Sequence, residues 1–387
     1  PATEKDPAWE EEWVRICPTC TYKDYKTTIE CTLTKNLPDI KTESTEEVTI
    51  PEELAKKWKA EGRYDEEIAE LDAFFERTGY PRTPKYYMIK WMCDYILEFG
   101  IDGYRADTVK HTEESVWADL KKECDNAFRT WKKNNPDKVL DDNEFYMVGE
   151  VYNFNISAAK AFDFGDKQVN YYDYGFNSMI NFEFKYNAQK SYEDLFSSYS
   201  RIINEELKTV SVMNYMTSHD DGSPFDSSRK KTYETATKLL LCPGTSQVYY
   251  GDESARPLII EGTQGDATLR SFMNWDAITK DSKTQDLLSH WQKLGQFRRN
   301  HPAVGAGVHK MISEKPYVFS RSFAQDNYSD YVLVALDLAK GENEIPVSGF
   351  EEGTRLRDAY SGQIAKVKDS KITLEISSPI VLLEKAD

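Results

Sequence analysis

The stretch Gly100-Ile101-Asp102-Gly103-Tyr104-Arg105-Ala106-Asp107-Thr108-Val109-Lys110-His111 constrains this chain more than any other. Its left half, Ile101 to Tyr104, reads as a short buried strand entered from a glycine. Its right half carries Arg105, Asp107, Lys110 and His111, too much charge to stay inside a strand. A barrel strand whose carboxyl end opens into a site reconciles the two halves, because parallel α/β barrels gather their chemistry at those ends. Side chains alternate along a strand, so Arg105 and Asp107 point to one face. Such a pairing suits a nucleophilic carboxylate. Taken alone, it equally suits a structural ion pair at a strand end.

The same design recurs. Phe145-Tyr146-Met147-Val148-Gly149-Glu150-Val151-Tyr152 is an apolar run ending in a carboxylate, and isolated buried charge is costly enough to need a reason. Val210 to Met216 again runs from apolar residues into Ser218-His219-Asp220-Asp221. Ser178 to Phe184 and Val248 to Gly251 read as two further strands. Between them the pattern predicts helices over 51–79 (broken at Gly62), 84–99, about 113–133, 192–207 and 284–299. From His301 onward, period-two alternation with turns predicts a small all-β sandwich.

Composition narrows the partners. A formal charge of −17 argues against nucleic acid or an anionic membrane as the main partner, since both select for basic patches. No window approaches the 18 or so apolar residues of a spanning helix. The aromatic content, with 24 Tyr and 8 Trp, permits the ring platforms on which sugars stack. Cys17-Pro-Thr-Cys20 lacks the second pair that a zinc finger needs; a three-cysteine set completed by Cys31 is one reading, and a local disulfide or reduced thiols are the favoured ones. Cys93 and Cys242 lie in apolar runs and suit a core.

Gly103-Tyr104-Arg105-Ala106-Asp107-Thr108-Val109-Lys110-His111 resembles the nucleophile strand of the α-amylase family of glycoside hydrolases, whose pattern is roughly D-G-aromatic-R-x-D-x-x-K-H. The resemblance implies Asp107 as nucleophile, Arg105 as its positioning partner, and Lys110 and His111 as sugar contacts. The Gly149-Glu150-Val151 ending is similar to the family's general-acid strand, which makes Glu150 the proton donor and brings Tyr152 in as a sugar contact. Ser218-His219-Asp220 resembles the signature whose His binds sugar hydroxyls and whose Asp stabilises the transition state; this names His219 and Asp220, with Asp221 the alternative at the next position. Leu37-Pro38-Asp39-Ile40 looks like the segment of the protruding loop domain that holds a structural calcium, which makes Asp39 and His111 the implied metal residues. The segment Ala267 to Trp275 is similar to one that follows the last barrel strand, and Arg270 and Trp275 are expected there as structural or distal sugar contacts.

The implied fold is a (β/α)8 TIM barrel with a protruding loop domain over 1–83, a catalytic barrel portion over 84–300 and a C-terminal all-β sandwich over 301–387. Only about the last five of the eight strands are visible in the sequence, and the D-x-x-x-N-H signature of the third barrel strand is not found. A separate or missing N-terminal barrel segment is therefore expected as a partner. The implied activity is retaining hydrolysis of α-1,4-glucosidic bonds in starch-like polysaccharides or oligosaccharides. The alternatives are an α-glucan transglycosylase and a non-catalytic starch-binding relative. A polymer substrate favours secretion or a periplasm.

Overall fold

The computed structural model describes residues 10–34, 37–220 and 222–386. They form two units: one runs to Phe154 and takes in Lys160–Met179, and the other holds Asn155–Ala159 and everything from Ile180. Asp221 lies outside the described residues.

The first unit is built on parallel strands. Strand β1, Gly103–Ala106, pairs in parallel with β2, Tyr146–Gly149, in the register Gly103↔Tyr146 through Ala106↔Gly149. Next, β2 pairs with the start of β3, Ser178–Asn181, through Val148↔Ser178 and Gly149↔Met179. The expected buried strand at 101–104 begins two residues later and is only partly buried. Strand β1 has β2 on one side and no strand on the other among the described residues, so solvent reaches it.

Helices flank these strands. The 51–79 pattern forms two helices, α1 Glu52–Glu61 and α2 Tyr64–Thr78. Gly62 ends the first with φ +74°, a backbone state that costs glycine alone little. Helix α3, Pro84–Phe99, opens on proline, whose missing N–H is no loss in a first turn. Gly100 closes α3 at φ +68°, and a Cβ there would lie 2.2 Å from the ring of Trp131. This glycine is fixed twice, by conformation and by the close approach of α4, Glu114–Asn134. Asp119 of α4 accepts from Tyr86 (3.1 Å) and Lys85 (3.3 Å) of α3, which fixes the helix pair that delivers the chain into β1.

In the second unit β4, Ser211–Tyr215, pairs in parallel with β5, Thr245–Gln247. The last strand thus stops before Val248, where the sequence pattern would start it. The Tyr250 carbonyl is taken by Arg256 Nε at 2.9 Å, and that guanidinium stacks 3.8 Å over the Tyr250 ring, so an apolar run becomes a turn wrapped around a buried arginine.

The expected sandwich beyond His301 is present. A six-stranded antiparallel sheet includes Tyr317–Gln325, Tyr328–Leu336 and Ile380–Lys385, and a two-stranded sheet pairs Gly341–Pro346 with Lys371–Ile376. Ile372, Leu374 and Ile376 alternate inward and share a core with Val318, Leu333 and Leu383. Strands Val308–Ser313, Gly341–Pro346 and Ile364–Lys366 escaped the sequence pattern; they are largely solvent-facing and show no clean alternation of buried and exposed positions.

Candidate active site

The register of β1 and β2 sets the site. Glu150 N donates to Ala106 O at 2.8 Å, and Val109 N donates to Glu150 O at 2.9 Å, so the parallel ladder continues past both strand ends. Asp107 and Glu150, each one residue beyond a paired strand, therefore occupy corresponding positions on neighbouring strands. Strands in a ladder lie about 4.8 Å apart, which brings these two carboxylates together.

Each carboxylate has its own environment. Arg105 donates through Nη1 to Asp107 Oδ1, the same-face pair that strand alternation predicts. Asp107 is 62% exposed, open to a ligand rather than sealed beneath the sheet. Glu150 is mostly buried, and its Oε2 accepts from Thr108 N at 2.8 Å. Burial raises the Glu150 pKa, the Thr108 N–H opposes that, and the negative charge of Asp107 adds to the rise. One carboxyl is thus biased to hold a proton beside another that is paired with a cation.

Lys110 and His111 follow in a single 3₁₀ turn, Val109–His111. Lys110 Nζ donates to Tyr152 O at 3.3 Å, and burial lowers its pKa. It also lies among three rings: Tyr152 at 5.2 Å, Tyr22 at 5.6 Å and Phe162 at 5.6 Å. Burial likewise lowers the pKa of His111, whose Nδ1 lies 2.9 Å from Thr28 O. Tyr22 meets the His111 ring edge-on at 5.7 Å, from a loop closed by the Cys20–Cys31 disulfide. The C-x-x-C is therefore not itself a bridge; Cys17 is a free thiol. Sequence reasoning missed Tyr22 and Phe162, since nothing local marks a ring as facing a lysine far along the chain. Both Tyr22 and Tyr152 are 53% exposed.

In the second unit, His219 Nε2 lies 2.7 Å from Asp220 Oδ2, while Arg270 donates from Nη2 to Asp220 Oδ1 at 2.8 Å and from Nε to His219 O at 3.1 Å. Arg270, expected as a structural or distal residue, is the clamp on this His–Asp pair. Trp275 starts a short helix, Trp275–Lys280, and is largely exposed.

The residues implied for calcium fit that ion poorly. Asp39 is taken by Arg15 Nε at 2.8 Å, and His111 Nδ1 is engaged by Thr28 O. His111 does lie near Cys20 and Cys31, all three donor atoms falling within 4.8 Å. Those sulfurs are bonded to each other, which leaves no thiolate for a metal.

A family profile described as "Alpha amylase, catalytic domain" matches residues 82–307, more than half of the 387-residue chain and both of the strands just described. The chain belongs to the α-amylase family of glycoside hydrolases. Among curated relatives, the periplasmic α-amylase of Escherichia coli (strain K12) is 35% identical over 326 residues, covering 83% of this chain and 43% of that one. A cyclomaltodextrinase of a Bacillus species is 24% identical over 276 residues, covering 70% of this chain and 44% of that one. The chain thus spans less than half the length of these relatives. Among solved structures, the α-amylase of Geobacillus thermoleovorans, solved with acarbose, superposes with a TM-score of 0.61 at 17% identity, over 99% of this chain and 74% of that one. An α-amylase of Malbranchea cinnamomea follows at 0.57 and 16% identity, over 97% and 67%. At these identities the likeness is one of fold, the TIM-barrel amylase fold with its trailing β-domain.

Proposed function

We propose that this protein hydrolyses α-1,4-glucosidic bonds in starch-like glucans or maltooligosaccharides with retention of configuration. The observation that carries the reading is the pairing of Asp107 and Glu150 at corresponding positions of neighbouring parallel strands, one with a guanidinium and the other with a raised pKa. An inter-strand spacing of about 4.8 Å suits the carboxyl separation of about 5–5.5 Å of retaining enzymes better than the wider gap of inverting ones. In the first step an Asp107 oxygen bonds to the anomeric carbon, the glycosidic C–O bond breaks, and the Glu150 proton goes to the departing oxygen. In the second, Glu150 takes a proton from water, the water oxygen bonds to the same carbon, and Asp107 is released. The family resemblance gives Asp220, which Arg270 and His219 hold within the second unit, the role of offsetting the positive charge of the oxocarbenium-like transition state.

Two further parts of the reading concern partners and place. Strand β1 offers an unpaired edge among the described residues, and α3 exposes Met92, Tyr95, Leu97 and Phe99; both support additional barrel strands and helices as their cover. The location named for the E. coli relative favours a periplasmic or secreted protein. No helix among the described residues is long and apolar enough to cross a membrane.

The test is hydrolysis of starch and maltoheptaose by the intact protein and by Asp107→Asn, with the anomeric configuration of first products read by NMR. Cleavage to α-configured products, abolished in the variant, is the expected result. First-formed β-configured products would sink the retaining assignment, transfer of glycosyl units to added maltose would favour the transglycosylase, and tight binding without turnover would favour a binding protein.

A further inference from the structure

The loop-domain carboxylate that the family pattern offers to calcium has another cation beside it. Val14–Arg15 and Asp39–Ile40 form a short antiparallel pair in which Arg15 stands directly opposite Asp39. Facing residues on antiparallel strands have their side chains about 5 Å apart at Cβ, close enough for an ion pair on one face. The Arg15 side chain is only 12% exposed. Its Nε donates to Asp39 Oδ2 at 2.8 Å and its Nη2 to Glu43 Oε2. A third carboxylate, Glu113 of the turn before α4, accepts from Thr42 Oγ1 at 2.7 Å and is close enough for its charge to act on both Asp39 and Arg15.

Three carboxylates therefore gather around one largely covered guanidinium. Without a positive charge their mutual repulsion and desolvation would force this turn open, which is the problem a structural cation solves. Calcium would need six to eight oxygens at about 2.3–2.6 Å, including carboxylate oxygens free to converge on one point. Here a guanidinium already engages two of the three carboxylates, and its planar fork gives each a separate N–H.

We propose that Arg15 is the built-in cation of this segment, holding Asp39, Glu43 and the turn toward Glu113 together in place of a calcium ion. The segment then folds without metal. The inference is independent of the hydrolase reading, because it concerns the stability of the loop domain and its readout involves no substrate.

The experiment is thermal unfolding and calorimetric calcium titration of the full chain, wild type and Arg15→Gln, after treatment with a chelator. A site filled at a hundred times its dissociation constant shifts a midpoint by several degrees, well within detection. Wild type should melt at the same temperature with chelator or with millimolar calcium chloride and show no binding heat, while Arg15→Gln should lose several degrees in chelator. A wild-type midpoint that falls by several degrees in chelator and recovers with calcium, or a stoichiometric calcium isotherm on wild type, would overturn the proposal. An Arg15→Gln melt equal to wild type would overturn it too. If Arg15→Gln fails to fold, the wild-type measurements alone still decide.

Discussion

Replacing Glu150 by Gln separates the proton from the geometry. The Glu150 carboxyl accepts the Thr108 N–H at 2.8 Å, and a Gln carbonyl oxygen can accept the same bond, so the junction of β1 and β2 survives. Burial already disfavours the charged form of Glu150, so a neutral isostere costs the fold little. What disappears is the transferable proton. General acid–base catalysis contributes about 10²–10⁴-fold, or roughly 3–5.5 kcal/mol of transition-state stabilisation, so kcat on maltoheptaose should fall by about that factor. An aryl maltoside whose phenolate departs without proton assistance should be spared in the bond-breaking step. The assay is steady-state and burst kinetics of both variants on both substrates, with melting curves as the control for folding. Equal losses on the two substrates, at unchanged melting temperature, would refute the assignment of Glu150 as the acid. Little loss on maltoheptaose would refute it outright.

Two further perturbations probe the surroundings. Tyr22→Ala removes an exposed ring beside Lys110 and His111 without touching Asp107 or Glu150, and should raise KM for maltooligosaccharides several-fold with kcat nearly unchanged, read from initial rates over a range of chain lengths. His290 is buried between Thr237 Oγ1 at 3.2 Å and Tyr360 Oη at 2.9 Å, and burial lowers its pKa to about 4. An unfolded histidine titrates near 6.5, so the folded chain binds fewer protons between these values and loses stability as pH falls from about 6.5 to about 4. The loss is at most about 3 kcal/mol. Denaturant midpoints across that window should fall less steeply in His290→Gln, and an unchanged acid slope would refute the role.

How much of the site was legible in the sequence depends on how local each relation is. Arg105 and Asp107 stand two apart on one strand, so alternation alone puts them on one face, and their pairing follows. Glu150 shows itself as a carboxylate that ends an apolar run. The partners brought by distant chain were invisible: Thr108 N on Glu150, Tyr22 and Phe162 beside Lys110, Arg270 on Asp220, and Arg15 opposite Asp39. The motif around Asp39 offered a calcium ligand because it says nothing about a guanidinium far earlier in the chain.

The division has a physical cause. By itself the sequence determined that a glycine must follow α3, that parallel-type strands end in charge, and that period-two alternation takes over after His301. Each is a property of backbone conformation or side-chain period within a few residues. Only the tertiary structure decided that Cys20 bridges Cys31 rather than Cys17, and that the Val248–Gly251 run turns around Arg256 instead of forming a strand. It also decided that two carboxylates far apart in sequence stand side by side, Glu150 with a raised pKa and Asp107 paired with Arg105. Desolvation and through-space charge act across any sequence separation, so they exist only once the strands have paired.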